Sequence, residues 1–318
     1  MAIEQNYLKR RDLDSLKAVE AAFQAGPLAD ALDAAPDIER RRGLSLAEFE
    51  RDYRSQGRPV VLEGHAADWP AVRTWSFEAL AERCGTVPVV VDSYSSRAAR
   101  KTTFGEFVTA LRQTAGTGAP PICLQEWYYK TVSPELADDL PELDIAHYDF
   151  RRDLYGDAAA TNHQLWLGQC GGITRLHQDS YSVDVMHIQI VGEKRWSIMG
   201  PDAELLADPT GQLELDALLA SPDTRLTRFV LRPGDVLYLP AWWFHRIELL
   251  TDSIGLGRKA LDQVNLRRHV HQRIGELLAL ALNPDELRRT HSELFDVVMT
   301  RGRALAHQMD VDLSRLRQ

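Results

Sequence analysis

The sequence is poor in the features that mark secreted and membrane proteins. Its 318 residues include only three cysteines, Cys84, Cys123 and Cys170, with no CxxC pair among them. An odd, scattered set predicts reduced, buried thiols and no disulfide framework. No stretch is apolar over the length needed to span a bilayer, and the N-terminal residues lack the apolar centre of a signal peptide. We therefore expect a cytoplasmic protein without a membrane partner.

Positive charge is also scarce. Lysine and arginine total 37 against 46 aspartates and glutamates, which gives a formal net charge of -9. Binding to a phosphate backbone depends on basic patches, and basic runs such as Arg40 to Arg42 are too short to form one. We therefore expect no nucleic-acid partner. The hydrophobic fraction of 44% is that of an ordinary globular protein.

The pattern of apolar and turn residues divides the chain into three regions. Residues 1–45 predict a helical segment, and residues 46–262 a domain that opens with α/β elements. Ser45 and Glu48 have the spacing of a capping box at the start of its first helix. Residues 132–160 are rich in proline and aspartate and predict a connecting loop. From residue 163, short strands between Gly, Pro and Asp turns predict a β-sandwich or barrel.

The third region, residues 263–318, predicts two amphipathic helices separated by Asn283-Pro284. Their apolar rows must be buried against another surface. A homodimer would bury them, and so would packing against the chain's own barrel. We favour the homodimer.

One group of side chains has the spacing of a metal site. His177 and Asp179 form an HxD pair on a predicted strand, and residues i and i+2 of a strand point to one face. His245 follows a PGD turn and a strand far downstream. Two imidazoles and one carboxylate match the facial triad of non-haem Fe(II) oxygenases, which leaves three octahedral positions open. An HxD pair alone is weak evidence, because a strand-end histidine hydrogen-bonded to a neighbouring carboxylate has the same sequence.

Several sequence blocks in a fixed order are more specific. Between residues 46 and 262 the chain resembles the JmjC-type cupins, which include the asparaginyl hydroxylase of hypoxia-inducible factor and bacterial JmjC hydroxylases. The resemblance is carried by "YRSQGRPVVLEGHAADWPAVRTWSFEALAERCG", "GGITRLHQD", "QIVGEKRWSIMGP" and "LRPGDVLYLPAWWFHRIE". It implies a mainly β fold with helical additions, in which a double-stranded β-helix (jelly roll) carries N-terminal α/β elements and a C-terminal helical pair.

The resemblance also implies an activity and a set of ligands. His177, Asp179 and His245 would hold Fe(II), and 2-oxoglutarate and O2 would be cosubstrates, with succinate and CO2 as coproducts. Lys194 and Thr174 match family residues that bind the distal carboxylate of 2-oxoglutarate. An exposed strand lysine and a buried packing threonine are the alternative interpretations of these two residues.

The chain departs from the family pattern in three places. About two extra residues separate Asp179 from Lys194, and Cys123 stands where a relative has a tyrosine that contacts 2-oxoglutarate. In the strand "SIGLGRKAL", Gly255 and Gly257 alternate and leave room on one face, and Lys259 stands where relatives often have asparagine. Lys259 is either a second cation for the cosubstrate or a strand-end lysine, and we favour the second. His187, in the extra segment, either lines the pocket or is a satisfied core histidine, and we favour the second; we do not expect it to be a metal ligand.

Four residues are expected on the substrate side of the pocket: Tyr181, Gln125, Tyr128 and Trp243. The expected substrate is a protein or peptide side chain, or an amino-acid-like small molecule, and no catalytic residue is expected beyond the metal centre. Two other functions remain open. One is a cupin metalloenzyme that does not use 2-oxoglutarate, and the other is a non-catalytic cupin-fold binding protein.

Overall fold

The computed structural model describes residues 22–94, 99–145, 149–150, 163–179, 182–200, 225–267 and 269–270. The chain divides into two compact units. The larger consists of Arg11–Asp179 with Val183–Asp262, and the smaller of Met1–Arg10, Ser180–Ser182 and Gln263–Gln318. The strands and the described helices lie in the larger unit. Most of the predicted C-terminal helix pair, from residue 271 onward, lies outside the described residues, and so does the dimer prediction that depends on it.

The described helices lie in the N-terminal half and are short. They are α1 (Pro27–Ala34), α2 (Leu46–Phe49, continued by a π-helical turn at Glu50–Arg54), α3 (Pro70–Thr74), α4 (Phe77–Cys84), α5 (Phe104–Thr114), α6 (Tyr129–Val132) and a 3-10 helix at Pro134–Asp139. The predicted capping box is present, because the side chains of Ser45 and Glu48 each bond the other's backbone. None of these helices has the length and apolar character to cross a membrane.

The strands begin early and dominate the second half. They are β1 (Arg40–Arg41), β2 (Val60–Leu62), β3 (Pro88–Ser93), β4 (Arg100–Thr103), β5 (Ile122–Trp127), β6 (His163–Gly168), β7 (Ile173–His177), β8 (Asp184–Val191), β9 (Lys194–Met199), β10 (Thr227–Leu231), β11 (Val236–Leu239), β12 (Phe244–Leu249) and β13 (Ser253–Ala260).

Within the described residues these strands form two sheets. The large sheet has the order β1-β2-β11-β8-β13-β6-β5-β3-β4, and the small sheet has the order β10-β9-β12-β7. Strands distant in sequence are neighbours in both sheets, as in a jelly roll. The structure is therefore the mainly β fold with N-terminal α/β elements that the resemblance implied.

The two faces of the large sheet have different surroundings. Along β8, Met186, Ile188 and Ile190 belong to the hydrophobic core that the sheet shares with the helices. The alternate residues Val185 and His187 lie on the other face and line a cavity. This alternation follows from the two-residue period of a strand.

The N-terminal segment is partly built into the same unit. Leu28 and Leu32 of α1 pack with Leu176 and Met199 of the small sheet. Strand β1 pairs in parallel with β2 and so extends the large sheet. Over the described residues, the predicted segment 1–45 is therefore not a separate helical piece.

Candidate active site

The three predicted metal ligands lie together at the end of the small sheet. His177 is the last residue of β7 and lies directly opposite His245 of β12 in the antiparallel ladder. The two imidazole rings have centroids 4.1 Å apart. Asp179 follows β7, and its Oδ1 lies 4.0 Å from Nε2 of His177. The ligand atoms of all three side chains lie within 4.8 Å of one another, so that one ion could contact all of them.

Hydrogen bonds fix which ring nitrogen of each histidine is free. Nδ1 of His177 lies 2.8 Å from the carbonyl oxygen of Arg175, and Nδ1 of His245 lies 3.1 Å from that of Trp243. A carbonyl oxygen can only accept, so each Nδ1 carries the hydrogen and each Nε2 keeps its lone pair for a metal. The 4.0 Å between His177 and Asp179 is too long for a hydrogen bond, which argues against the strand-end alternative.

The electrostatics also suit a metal. Burial by itself would raise the pKa of Asp179, but the positive charge of Lys259, joined by those of His245 and His177 when they are protonated, outweighs it and holds that pKa below its usual value. Burial, and after it the neighbouring His177, lower the pKa of His245 to about 4. An ionised carboxylate and a neutral imidazole are the protonation states that bind a metal ion. The residues present therefore fit an Fe(II) site.

The turn that precedes His245 is held from two sides. Asp184, at the start of β8, accepts hydrogen bonds from the hydroxyl of Tyr238 at 3.0 Å and from the backbone N–H of Ala241 at 2.8 Å. Gln178, between the two ligands of the HxD pair, donates to the carbonyl of Trp242 at 2.6 Å. These bonds tie the end of β7 to the β11–β12 turn, which positions the ligands.

A cavity of about 60 Å³ lies beside the three ligands and is lined by both sheets. Lys194 and Thr174 are both in its wall. Lys194 is only 4% exposed, and burial lowers its pKa to about 7. No carboxylate among the described residues lies within salt-bridge distance of its ammonium group. A buried cation of this kind favours an anionic ligand in the cavity, and the interpretation as an exposed strand lysine is wrong.

Of the four residues predicted on the substrate side, the three that the structure describes are not in the cavity wall. The prediction for Trp243 is wrong, because its side chain is not in the cavity wall. It is buried in the core between the sheets, and its indole N–H donates to the carbonyl of Gly57 at 3.2 Å. Tyr128 and Gln125 are not in the cavity wall. The hydroxyl of Tyr128 does accept a hydrogen bond at 2.6 Å from Gln164, and Gln164 is a wall residue. Tyr181 lies outside the described residues.

Two residues interpreted as structural line the cavity instead. Lys259 is near the end of β13, as expected, but it also faces the cavity and is the strongest positive influence on Asp179. His187 is in the wall as well, and its Nε2 has no hydrogen-bond partner among the described residues. His187 is thus buried like a core histidine, but it lines the cavity and its Nε2 is not satisfied by a hydrogen bond within the described residues.

One further wall residue, Tyr94, was not predicted from sequence. It follows β3, which pairs with β5 so that Asp92 lies opposite Cys123. Its ring fills the space beside Gly168 and Gly172 where other residues would carry a Cβ atom. A phenol thus reaches the cavity from the strand next to Cys123. The two glycines were the available signal, because a missing side chain leaves room for a neighbour.

Known proteins resemble this chain over the same region. The profile of the cupin-like domain family matches residues 46–266. The chain is 29% identical to lysine-specific demethylase JMJ30 of Arabidopsis thaliana, over 69% of this chain and 53% of that protein. It is also 29% identical to lysine-specific demethylase 8 of Xenopus tropicalis, over 72% and 54%.

A third relative carries the chemistry in its name. The 2-oxoglutarate and iron-dependent oxygenase JMJD4 of Gallus gallus is 22% identical over 72% of this chain and 61% of that protein. The chain spans between about half and three fifths of the length of these three relatives. The family match, the fold and the His-Asp-His cluster agree, and Fe(II), 2-oxoglutarate and O2 are the cofactors of the JmjC enzymes. The chain belongs to the cupin-like (JmjC) family of iron- and 2-oxoglutarate-dependent oxygenases.

Proposed function

We propose that this chain is an Fe(II)- and 2-oxoglutarate-dependent hydroxylase that acts on a C–H bond of a protein or peptide side chain. The observation that carries the proposal is the pairing of His177, Asp179 and His245 with a cavity that holds the buried cation Lys194. An oxygenase of this type needs both a metal with open positions and a binding site for a dicarboxylate.

The side chains divide this work. His177, Asp179 and His245 would hold the iron on one face, with the carbonyl groups of Arg175 and Trp243 keeping each imidazole oriented. Lys194 would neutralise the distal carboxylate of 2-oxoglutarate, and Thr174 would donate its hydroxyl to the same group. Because Lys194 is buried, this ion pair would form away from competing water.

The cofactor supplies the oxidising power. With iron bound, one atom of O2 enters the substrate C–H bond as a hydroxyl and the other enters succinate, while 2-oxoglutarate loses CO2. The protein's contribution is to fix the three ligands, to hold the dicarboxylate, and to keep the site dry.

The substrate class rests on the relatives. Two of them are named lysine-specific demethylases, so their names specify an amino-acid side chain. We therefore favour a protein or peptide side chain over a free amino-acid-like small molecule. Removal of an N-methyl group would begin with the same C–H hydroxylation, followed by loss of formaldehyde, and is the second candidate.

The test follows succinate formation. The purified chain is given Fe(II), ascorbate and 2-oxoglutarate in air, with and without peptides that contain methylated or unmodified lysine and arginine. We expect succinate from the wild type and almost none from His177→Ala. His65→Ala is the matched control, because His65 pairs with Asp144 away from the cavity and should leave turnover unchanged.

The products separate the candidates. Succinate with a peptide gain of one oxygen supports hydroxylation, and succinate with formaldehyde supports demethylation. If His177→Ala forms succinate as fast as the wild type, the metal assignment is wrong. If 2-oxoglutarate neither binds nor turns over, a cupin metalloenzyme with another cosubstrate becomes the better proposal.

A further inference from the structure

His187 is a buried polar group that the proposed reaction does not yet use. It lies in the middle of β8 and is 5% exposed. Its Nε2 is fully buried and has no hydrogen-bond partner among the described residues, although the side chain lines the cavity. A buried nitrogen without a partner is unfavourable by itself. Two partners are available to that atom: Gln189, two residues along the same face, whose buried Oε1 also has no hydrogen bond among the described residues, and a ligand in the cavity.

Two glycines of β13 make room for this imidazole. Gly257 lies directly opposite His187 in the ladder, and Gly255 is its diagonal neighbour. A Cβ atom on Gly255 would lie 2.5 Å from Nε2 of His187 and 2.9 Å from Nζ of Lys194. The imidazole nitrogen and the ammonium group therefore converge on the same point of the wall. Any larger residue at position 255 would displace one of them.

The remaining neighbours hold the ring in place. Trp196 packs edge-on against His187, with ring centroids 5.0 Å apart. The same indole stacks on His245 at 5.8 Å, so that it lies between His187 and the metal ligands. His187 is thus on the Lys194 side of the cavity and not among the metal ligands.

We propose that His187 is a second binding residue, beside Lys194, for the distal carboxylate of a 2-oxo dicarboxylate, and that Gly255 provides the space for it. The inference rests on the proposed function, because it concerns the same cosubstrate. Nε2–H donates to one carboxylate oxygen, and the ammonium group of Lys194 pairs with the same group. The departure from the family pattern between Asp179 and Lys194 then has a role in cosubstrate binding.

The test measures binding without turnover. The protein is loaded with Mn(II), and the affinity for 2-oxoglutarate is measured by isothermal titration calorimetry for the wild type, His187→Leu and His187→Gln. The matched ligand is 2-oxovalerate, which has the same chain length but ends in a methyl group. The melting temperature of each metal-loaded variant without ligand serves as the control for folding.

Loss of one hydrogen bond to a carboxylate weakens binding roughly ten- to a hundredfold. We expect a loss of this size for 2-oxoglutarate in His187→Leu, little change for 2-oxovalerate, and substantial recovery in His187→Gln, whose amide can donate. Gly255→Ala should also weaken 2-oxoglutarate binding selectively, because its methyl group would crowd both the imidazole of His187 and the ammonium group of Lys194. If His187→Leu does not fold, His187→Asn takes its place, because the shorter amide does not reach the position of Nε2.

The failures can be told apart. If wild-type protein binds 2-oxoglutarate and both His187→Leu and Gly255→Ala bind it equally well, this inference is wrong and the proposed function stands. An equal loss for both acids would also overturn it, because that result points to a collapsed cavity. If the Mn(II)-loaded wild type does not bind 2-oxoglutarate, the proposed cosubstrate fails first and the inference with it.

Discussion

Replacing Lys194 by methionine should stabilise the ligand-free protein and abolish its response to 2-oxoglutarate. The ammonium group is buried, and burial lowers its pKa from 10.5 to about 7. No carboxylate among the described residues lies close enough to compensate it. Methionine keeps the unbranched apolar part of the side chain and removes only the ammonium group, so the variant isolates the effect of the charge.

The size of the effect follows from linkage. A pKa that falls from 10.5 to about 7 on folding corresponds to roughly 5 kcal/mol, which is an upper limit because water and side chains relax around a buried charge. The folded state binds the proton less tightly than the unfolded state. The destabilisation is therefore complete below pH 7 and disappears as the pH rises from about 7 towards 10.5. The advantage of Lys194→Met over the wild type should decrease over the same interval.

The assay is urea denaturation of both proteins between pH 6 and pH 10, without metal or ligand, with Lys101→Met as the control. Lys101 is an exposed residue of β4, so its replacement should change the free energy of unfolding by less than about 0.5 kcal/mol. In a second measurement, 2-oxoglutarate at about 100 times its Kd should stabilise the metal-loaded wild type by about 2.7 kcal/mol and the variant hardly at all. The reasoning is refuted if Lys194→Met is less stable than the wild type at pH 7, or if the difference between them does not depend on pH.

Other parts of the structure give two further predictions. Asp235 is buried and accepts hydrogen bonds from the side chain of Arg40 and from two backbone N–H groups. Asp235→Ala should therefore lower the free energy of unfolding, measured by urea denaturation, by about 2–4 kcal/mol. A change as small as that of the exposed control Asp68→Ala would contradict this prediction. Of the three thiols, Cys170 is exposed, whereas burial raises the pKa of Cys84 to about 11 and that of Cys123 to about 12. At pH 8, mass spectrometry after maleimide treatment should therefore find Cys170 labelled and the other two unlabelled until the protein unfolds.

Local sequence signals predicted the regular elements well. The capping box at Ser45 and Glu48 is present, and the turn-bounded runs after residue 163 are strands. The sequence failed where tertiary contacts decide the structure. The stretch interpreted as a connecting loop contains the 3-10 helix Pro134–Asp139, in which Leu136 is buried. Strand β4 was missed because its residues are largely exposed and lack an apolar alternation.

The thiols show a similar limit. All three cysteines are free, as their odd number and scattered spacing suggested. Two of them are buried, but Cys170 is exposed in the turn between β6 and β7, where its neighbours are Gly171 and Gly172. Cysteine is buried on average, but the exposure of Cys170 depends on its position in this turn.

The sequence predicted those site residues that are close together in the chain or belong to a motif. The HxD pair and His245 needed only strand periodicity and a recognisable family pattern. Tyr94 and His187 could not be found in this way, because each reaches the cavity through space left by glycines on another strand. For His187 that glycine is Gly255, which is 68 positions later in the chain and is brought alongside only by the pairing of β8 with β13. A glycine therefore indicates which side chain fills the space beside it only once its neighbours in the fold are known. Tyr94 and His187 are two wall residues placed in this way.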